Sequence, residues 1–218
     1  MADRPLANIA PYITPWSGEA VDASVIVYSP RGGIGYAEET PWDRDIDGVL
    51  WTRRSFARGA GTPEYAAVHP QRQRQCMGGS LCQVSGEPAH ENAQGNLWLL
   101  DEASAAEALQ GRAVGAPPIC ADCVPVALER CPELRKGYAL LRVGTPLIAG
   151  VHGTVYKRGP AFPVAAGKDY VPYGTPRARW VLAGQLYAHL RDCTPVSLDE
   201  VLALLDGASP DLRRLRHG

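Results

Sequence analysis

Apolar and polar positions alternate in short blocks along this chain, and the blocks change character twice. The N-terminal part reads as β. Ser24 to Tyr28 (SVIVY) is a β-branched run, Gly32-Gly33 supplies a turn before IGYA, and Asp45 to Gly48 is a second turn ahead of Val49-Leu50-Trp51. A small antiparallel sheet follows from this, preceded by an extended arm over residues 1–20. From His69 the texture turns polar and helical. His69-Pro70 marks a helix start, with proline at the first helical position, and Gly78-Gly79 marks its end. Leu97 to Leu100 reads as a strand, DEASAAEALQG as a helix stopping at Gly111, and the segment after Pro117-Pro118 as a helix running to about Cys131.

The last third opens on a strand, Tyr138 to Val143. Ile148 to Tyr156 reads as a kinked strand or loop, because Gly150 and Gly153 interrupt it. The spacing of Trp180, Val181, Leu186, Tyr187 and Leu190 predicts a helix over Arg177 to Arg191. Ser197 with Glu200 forms a capping box before VLALL. The basic tail DLRRLRHG is expected to fray. The pattern gives an α+β fold: small antiparallel sheets with a treble-clef-like zinc knuckle and a few short helices. With no clear linker, residues 1–218 read as one domain, with a β-rich part over 1–68, a cysteine part over 69–137 and an α/β part over 138–218.

Composition narrows the function classes. The 218 residues suffice for a real core, and 45% hydrophobic with 21% charged residues is ordinary for a globular chain. With 22 basic and 23 acidic side chains, no global field draws the chain to nucleic acid or to anionic lipid. The N-terminus lacks a secretory signal and no stretch is long enough to span a bilayer, so a cytoplasmic chain without a membrane role is expected. In that compartment six cysteines read as thiols or metal ligands.

Their spacing carries the candidate chemistry. Cys120-Ala-Asp-Cys123 is a C-x-x-C opening a predicted helix. Cys82-Gln-Val-Ser85-Gly86 has the shape of a zinc knuckle, with Ser85 where a second cysteine normally stands. A tight turn lets two side chains reach one ion at ~2.3 Å from each sulfur, glycine after the turn permits positive φ, and a helix N-terminus favours thiolates. Knuckle, hairpin, then C-x-x-C on a helix is the order of a treble clef. Cys82, Cys120 and Cys123 are therefore the core of a zinc site. Cys76 and His90 are both candidates for the fourth ligand, and a third arrangement leaves that position open to water, as in catalytic zinc. Cys131 and Cys193 read as packing residues. A Cys120–Cys123 redox pair lacks the β-α context it would need.

The stretches APYITPWSGE, HPQRQRQCM, LCQVSG, NLWLL, PPICADCVPVALERCPELRKG and IAGVHGTVY resemble a family of uncharacterised actinobacterial (Streptomyces-type) proteins. The resemblance covers most of the chain. It implies a fold and a four-cysteine zinc site whose first knuckle reads C-x-x-C-G, and it implies no reaction. Ser85 departs from that pattern, and Cys76 stands where the family has another residue, so the resemblance suggests that Cys76 replaces the lost thiolate.

Other residues offer further candidate chemistry. His152, between glycines in GVHGTVY, and Asp122, inside the C-x-x-C, are the candidates for catalytic groups. His69 reads as a helix cap. The carboxylates from Glu38 to Asp47 read as a solvated turn, since the distal Glu of a calcium loop is missing. Arg31 to Gly35 lacks the spacing of a nucleotide loop, and no Walker motif, G-x-S-x-G or H-E-x-x-H is present. Arg72 and Arg74, with Arg53, Arg54 and Arg58, offer a possible phosphate-contacting patch. Two functions follow as expectations: a zinc-stabilised accessory or regulatory module binding protein or nucleic acid, or a specialised-metabolism enzyme using an open zinc as Lewis acid on a small-molecule substrate.

Overall fold

A computed structural model describes residues 10–207. The first nine residues of the arm and the basic tail lie outside the described residues.

Ile26–Tyr28 (β1) and Ile34–Tyr36 (β2) form a two-stranded antiparallel hairpin, closed by Gly32 and Gly33, both at positive φ. A six-stranded mixed sheet makes up the body. It contains Leu50–Trp51 (β3), Glu91–Asn92 (β4), Gly95–Asp101 (β5), Tyr138–Lys157 (β6), Val164–Pro172 (β7) and Val181–Val196 (β8). Their order is β3-β8-β6-β5-β4, with β7 joined to the C-terminal half of β6 beyond the end of β5. All pairings are antiparallel except β3 with β8. The helices are Pro70–Gly78 (α1), Glu102–Leu109 (α2), Cys123–Arg130 (α3) and Leu198–Gly207 (α4).

Several expected boundaries hold for the expected reasons. The His69 ring accepts a hydrogen bond from the Arg72 amide, and Pro70 follows at the first helical position. Asp101 caps α2 through the Ser104 amide. Ser197 and Glu200 exchange the reciprocal bonds of a capping box ahead of α4.

Residues 177–191 are the main correction. They form a short 3-10 turn, Pro176–Trp180, followed by β8, not a helix. Val181 and Ala183 are buried, then Leu186, Ala188 and Leu190, so burial has period two on either side of a one-residue slip. The slip falls at Gly184, where His152 pairs with Gln185 but Gly153 pairs with Ala183. A bulge shifts the phase of alternation, and two strand segments out of phase imitate helical spacing. β6 likewise runs unbroken through the glycines that suggested a kink. A Cβ on Gly153 would lie 2.1 Å from the Leu182 carbonyl oxygen, so glycine admits the close approach of β8.

Both faces of the central sheet are covered, which is why Leu97 to Leu100 are all buried in sequence. One core joins Trp98, Leu100, Leu141, Val143, Val151 and Leu186 to Ala105 and Ala108 of α2 and Met77 of α1. The other joins Leu97, Leu99 and Leu140 to Ile119, Val124, Val201 and the cysteine segments. A third, smaller cluster holds the β1–β2 hairpin through Ile34, Tyr36 and Leu50.

Polar keys lock α1 into this body. Gln73 is fully buried; its amide donates to the Gly115 and Leu186 carbonyls, and its carbonyl accepts from the Leu186 amide at 2.8 Å. Replacing Gln73 with leucine leaves three buried backbone groups unpaired, so Gln73→Leu is expected to cost about 3 kcal/mol or more in denaturant unfolding. A cost below about 1 kcal/mol would mean that water takes over these bonds.

Candidate metal centre

The knuckle is a tight hairpin built on Cys82. The Cys82 amide donates to the Glu87 carbonyl at 2.7 Å and the Gly86 amide returns to the Cys82 carbonyl at 2.8 Å. Within that turn the amides of Val84 and Ser85 both point at Cys82 Sγ, each 3.4 Å away. Gly86 has φ +81, and a Cβ there would stand 2.8 Å from the Tyr12 ring. Both backbone shape and the overlying arm therefore require glycine. Tyr12 and Ile13, in a turn closed by the Thr14 amide on the Pro11 carbonyl, donate their amides to the Val84 and Gln83 carbonyls, so residues of the arm cover the knuckle.

The second cysteine segment meets the knuckle edge on. The Gln83 amide donates to the Pro118 carbonyl, Ile119 donates to Leu97, and His90 donates to Ile119. These bonds fix the residue before Cys120. The Cys123 amide then donates to the Cys120 carbonyl at 3.1 Å, closing the turn that opens α3.

The outcome is that Sγ of Cys82, Cys120 and Cys123 lie within 4.8 Å of one another, close enough to hold one metal ion. Cys82 and Cys123 are buried and Cys120 is half-buried, and none of the three is in a disulfide. Ser85 completes the group: its hydroxyl lies 3.8 Å from Cys120 Sγ and accepts from the Glu87 amide. The serine thus occupies the place its sequence position suggests, but with an oxygen instead of a thiolate.

Electrostatics in the group are uneven. Hydrogen bonds from Cys120 and Cys123, joined by the Ser85 side chain, hold the Cys82 thiol far below its usual range against the effect of burial. Cys123 donates to Cys120, yet the hydrogen bond Cys120 gives to Cys82, and burial, push Cys120 up to about 11. Cys123 is raised further, by its hydrogen bonds to Cys120 and Cys82. Sulfurs at this spacing share protons through hydrogen bonds, and a divalent cation is the natural replacement for those protons.

The remaining candidates fall elsewhere. Cys76 is buried and its thiol donates to the Cys82 carbonyl at 3.6 Å, outside the three-sulfur group. Burial pushes its pKa up to about 12. His90 directs Nδ1 at Arg142, 2.8 Å away. Asp122 is exposed in the turn between the two cysteines. His152 lies in the β7-paired half of β6 and stacks on Tyr187 at 5.6 Å between ring centres. Burial lowers its pKa, aided by Lys168. Cys131 ends α3, and Cys193 packs half-buried against the main core.

Two expectations about charge are corrected. The carboxylates between Glu38 and Asp47 are not simply solvated. Asp43 is buried, caps Thr40 and accepts from Arg53, and Asp45 accepts from the Trp51 indole and the Tyr173 hydroxyl. The arginines do not form an open patch either. Arg72 is buried against Glu19, Arg53 pairs with Asp43 and Asp22, and Arg54 pairs with Glu64. Arg74 lies over the Trp51 ring, and Arg58 donates to the Ala10 carbonyl. Their partners are up to 53 residues distant in sequence, so a local reading sees only the cations.

Among the described residues no helix is long and apolar enough to cross a membrane. Comparison with protein-family models, with curated proteins and with solved structures finds no match to this chain.

Proposed function

We propose that Cys82, Cys120 and Cys123 hold a structural zinc ion and that the chain is a zinc-stabilised protein-binding module. The observation that carries this reading is the convergence of three sulfurs from two segments onto one point over the cysteine-side core. Thiolates at ~2.3 Å from a tetrahedral zinc stand about 3.8 Å apart, which the group reaches by small side-chain adjustments. The segments follow one another as in a treble clef: knuckle, the β4–β5 hairpin, then a C-x-x-C opening a helix, with α2 inserted before the last. Protein is favoured over nucleic acid because the five arginines already have intramolecular partners. Trp42 is 89% exposed and Ile46 fully so, on a turn stiffened by the Thr40–Asp43 bonds and the Arg53–Asp43 pair. A large aromatic on a rigid turn is the type of anchor that protein interfaces use.

One specific observation supports the second reading, an enzyme with an open zinc: beside the three sulfurs stands the Ser85 hydroxyl, 3.8 Å from Cys120 Sγ, a weaker ligand than thiolate. Elemental analysis and Ser85→Cys test both readings. About one zinc per chain is expected in protein purified without added metal, retained in Cys76→Ala and lost in Cys120→Ser. Ser85→Cys is expected to hold the ion more tightly with the fold unchanged. Cobalt(II)-substituted protein titrated with a small thiol separates the two. An unchanged visible spectrum supports the structural site, and a change that Ser85→Cys abolishes supports the open one. Metal-free protein with an intact fold would sink both.

A further inference from the structure

Arg142 stands in β6 opposite Leu97 of β5 and Thr194 of β8, on the same face as Leu140 and therefore on the cysteine side of the sheet. It is only 2% exposed. A guanidinium at such depth ordinarily has a carboxylate beside it, as Arg72 has Glu19. Arg142 has none among the described residues. Burial pushes its pKa down; the exposed Asp122 acts on the neighbouring His90 but forms no ion pair with Arg142.

The hydrogen-bond pattern shows which edge of the guanidinium is free. Nη1 donates to His90 Nδ1 at 2.8 Å and to the His90 carbonyl at 3.1 Å. Since arginine has no acceptor, Nδ1 must be the accepting nitrogen, and the His90 proton sits on Nε2. That leaves Nε and Nη2, the side-on fork that matches two carboxylate or phosphate oxygens. Neither has a partner among the described residues. Unlike Nε of Arg72 and of Arg54, they are not sealed from solvent.

We propose that Arg142, oriented by His90, is the floor of a binding site for the oxyanion of a small ligand, and that the ligand is a carboxylate. The single unaided cation balances one negative charge, which suits a carboxylate better than a phosphate dianion. The small exposure restricts entry to a slender group. The site is distinct from the three sulfurs and does not depend on the identity of any metal there.

Thermal unfolding of the full chain in formate, acetate or phosphate, against chloride of equal ionic strength, tests this. Formate at about 50 mM is expected to raise Tm by about 3 °C, and Arg142→Met is expected to abolish the rise. The substitution removes a buried cation without a counter-ion, so the variant should be at least as stable as the parent in chloride. If it does not fold, Arg142→Lys replaces it; that variant keeps the charge, loses the fork, and should cut the rise by about half or more. N-acetylglutamate amide matching formate would identify the ligand as an acidic side chain from a partner, and formate or acetate acting alone would identify a small free acid. A larger rise with phosphate than with formate overturns the carboxylate assignment. No rise with any oxyanion, or an equal rise in Arg142→Met, overturns the site.

Discussion

For the structural site proposed at Cys82, Cys120 and Cys123, metal chelation or replacement of Cys123 by serine is expected to lower the unfolding temperature by about 10 °C or more, because metal-binding free energy of a structural site is folding free energy. The loss should be local before it is global. The knuckle is held by backbone bonds from the arm and from Gln83 to the Pro118 carbonyl, but nothing apolar replaces the ion between its sulfurs. Without an ion, the three sulfurs remain packed together in a buried setting, held by hydrogen bonds among the side chains and from the Val84 and Ser85 amides. Amide exchange at Val84, Ser85 and Gly86 should therefore accelerate ahead of exchange at Val151, Val155, Val181 and Ala183 of β6 and β8, whose core does not include Cys82, Cys120 or Cys123. Equal Tm and equal exchange with and without chelator would remove the structural role of the site.

The second large effect belongs to Glu19. It is buried, accepts two bonds from Arg72 and accepts the amides of Trp16 and Ala57. Glu19→Ala strands the Arg72 guanidinium at 2% exposure and should cost about 3–5 kcal/mol. The double change Glu19→Leu with Arg72→Met should recover much of that, since neither charge is then left alone. The pair also predicts an acid limb. Burial tends to raise the Glu19 pKa, but the Arg72 hydrogen bond and the Trp16 and Ala57 amides outweigh it and bring the group from 4.5 to about 2. A carboxyl depressed in the folded state contributes stability that is complete above its unfolded pKa and is lost as pH falls toward and through the folded value. Asp43, held at about 2 first by its bonds from Arg53, adds to the same window. Stability should thus decline between about pH 5 and pH 2, and less steeply in Glu19→Ala. An identical decline in parent and variant would show that Glu19 does not carry it.

The parts of this molecule legible from sequence are those decided within a few residues. The cap at His69, the box at Ser197 and Glu200, the glycine turn at 32–33 and the C-x-x-C at the head of α3 all depend on local backbone chemistry, and all appear where the sequence suggests. β8 was misread because its bulge at Gly184 breaks the alternation that would reveal a strand. α1 offered polar residues at nearly every position, and the sequence cannot show that Arg72 and Gln73 point inward. Their partners, Glu19 and Leu186, are 53 and 113 residues away. Of the candidate site, the three cysteines were legible from spacing, whereas the place of Cys76 depends on how α1 leads into the knuckle. Arg142 did carry a signal: it is the single charge inside the apolar run YALLRV.

The margins of the large sheet have a consequence for behaviour at high concentration. Strand edges are templates for pairing with other chains, and β6 and β8, with 20 and 16 residues, would be extensive templates if uncovered. β6 has β8 on one side and β5 or β7 on the other, and the outer edge of β8 is covered at Leu182 and Ala183 by β3, at Leu186 by the Gln73 side chain and at Ala188 by Val114. The ends of the sheet are β3 and β4, two residues each, too short to seed a ladder. β7 is a longer free edge among the described residues, where Ala166 is bulged out between the pairs Val155–Gly167 and Tyr156–Ala165, and Lys168 and Asp169 place charges on the exposed rim. A second copy approaching edge on meets a discontinuous row of amides and carbonyls. The β7 margin is therefore a poor template for strand-to-strand growth from the folded state.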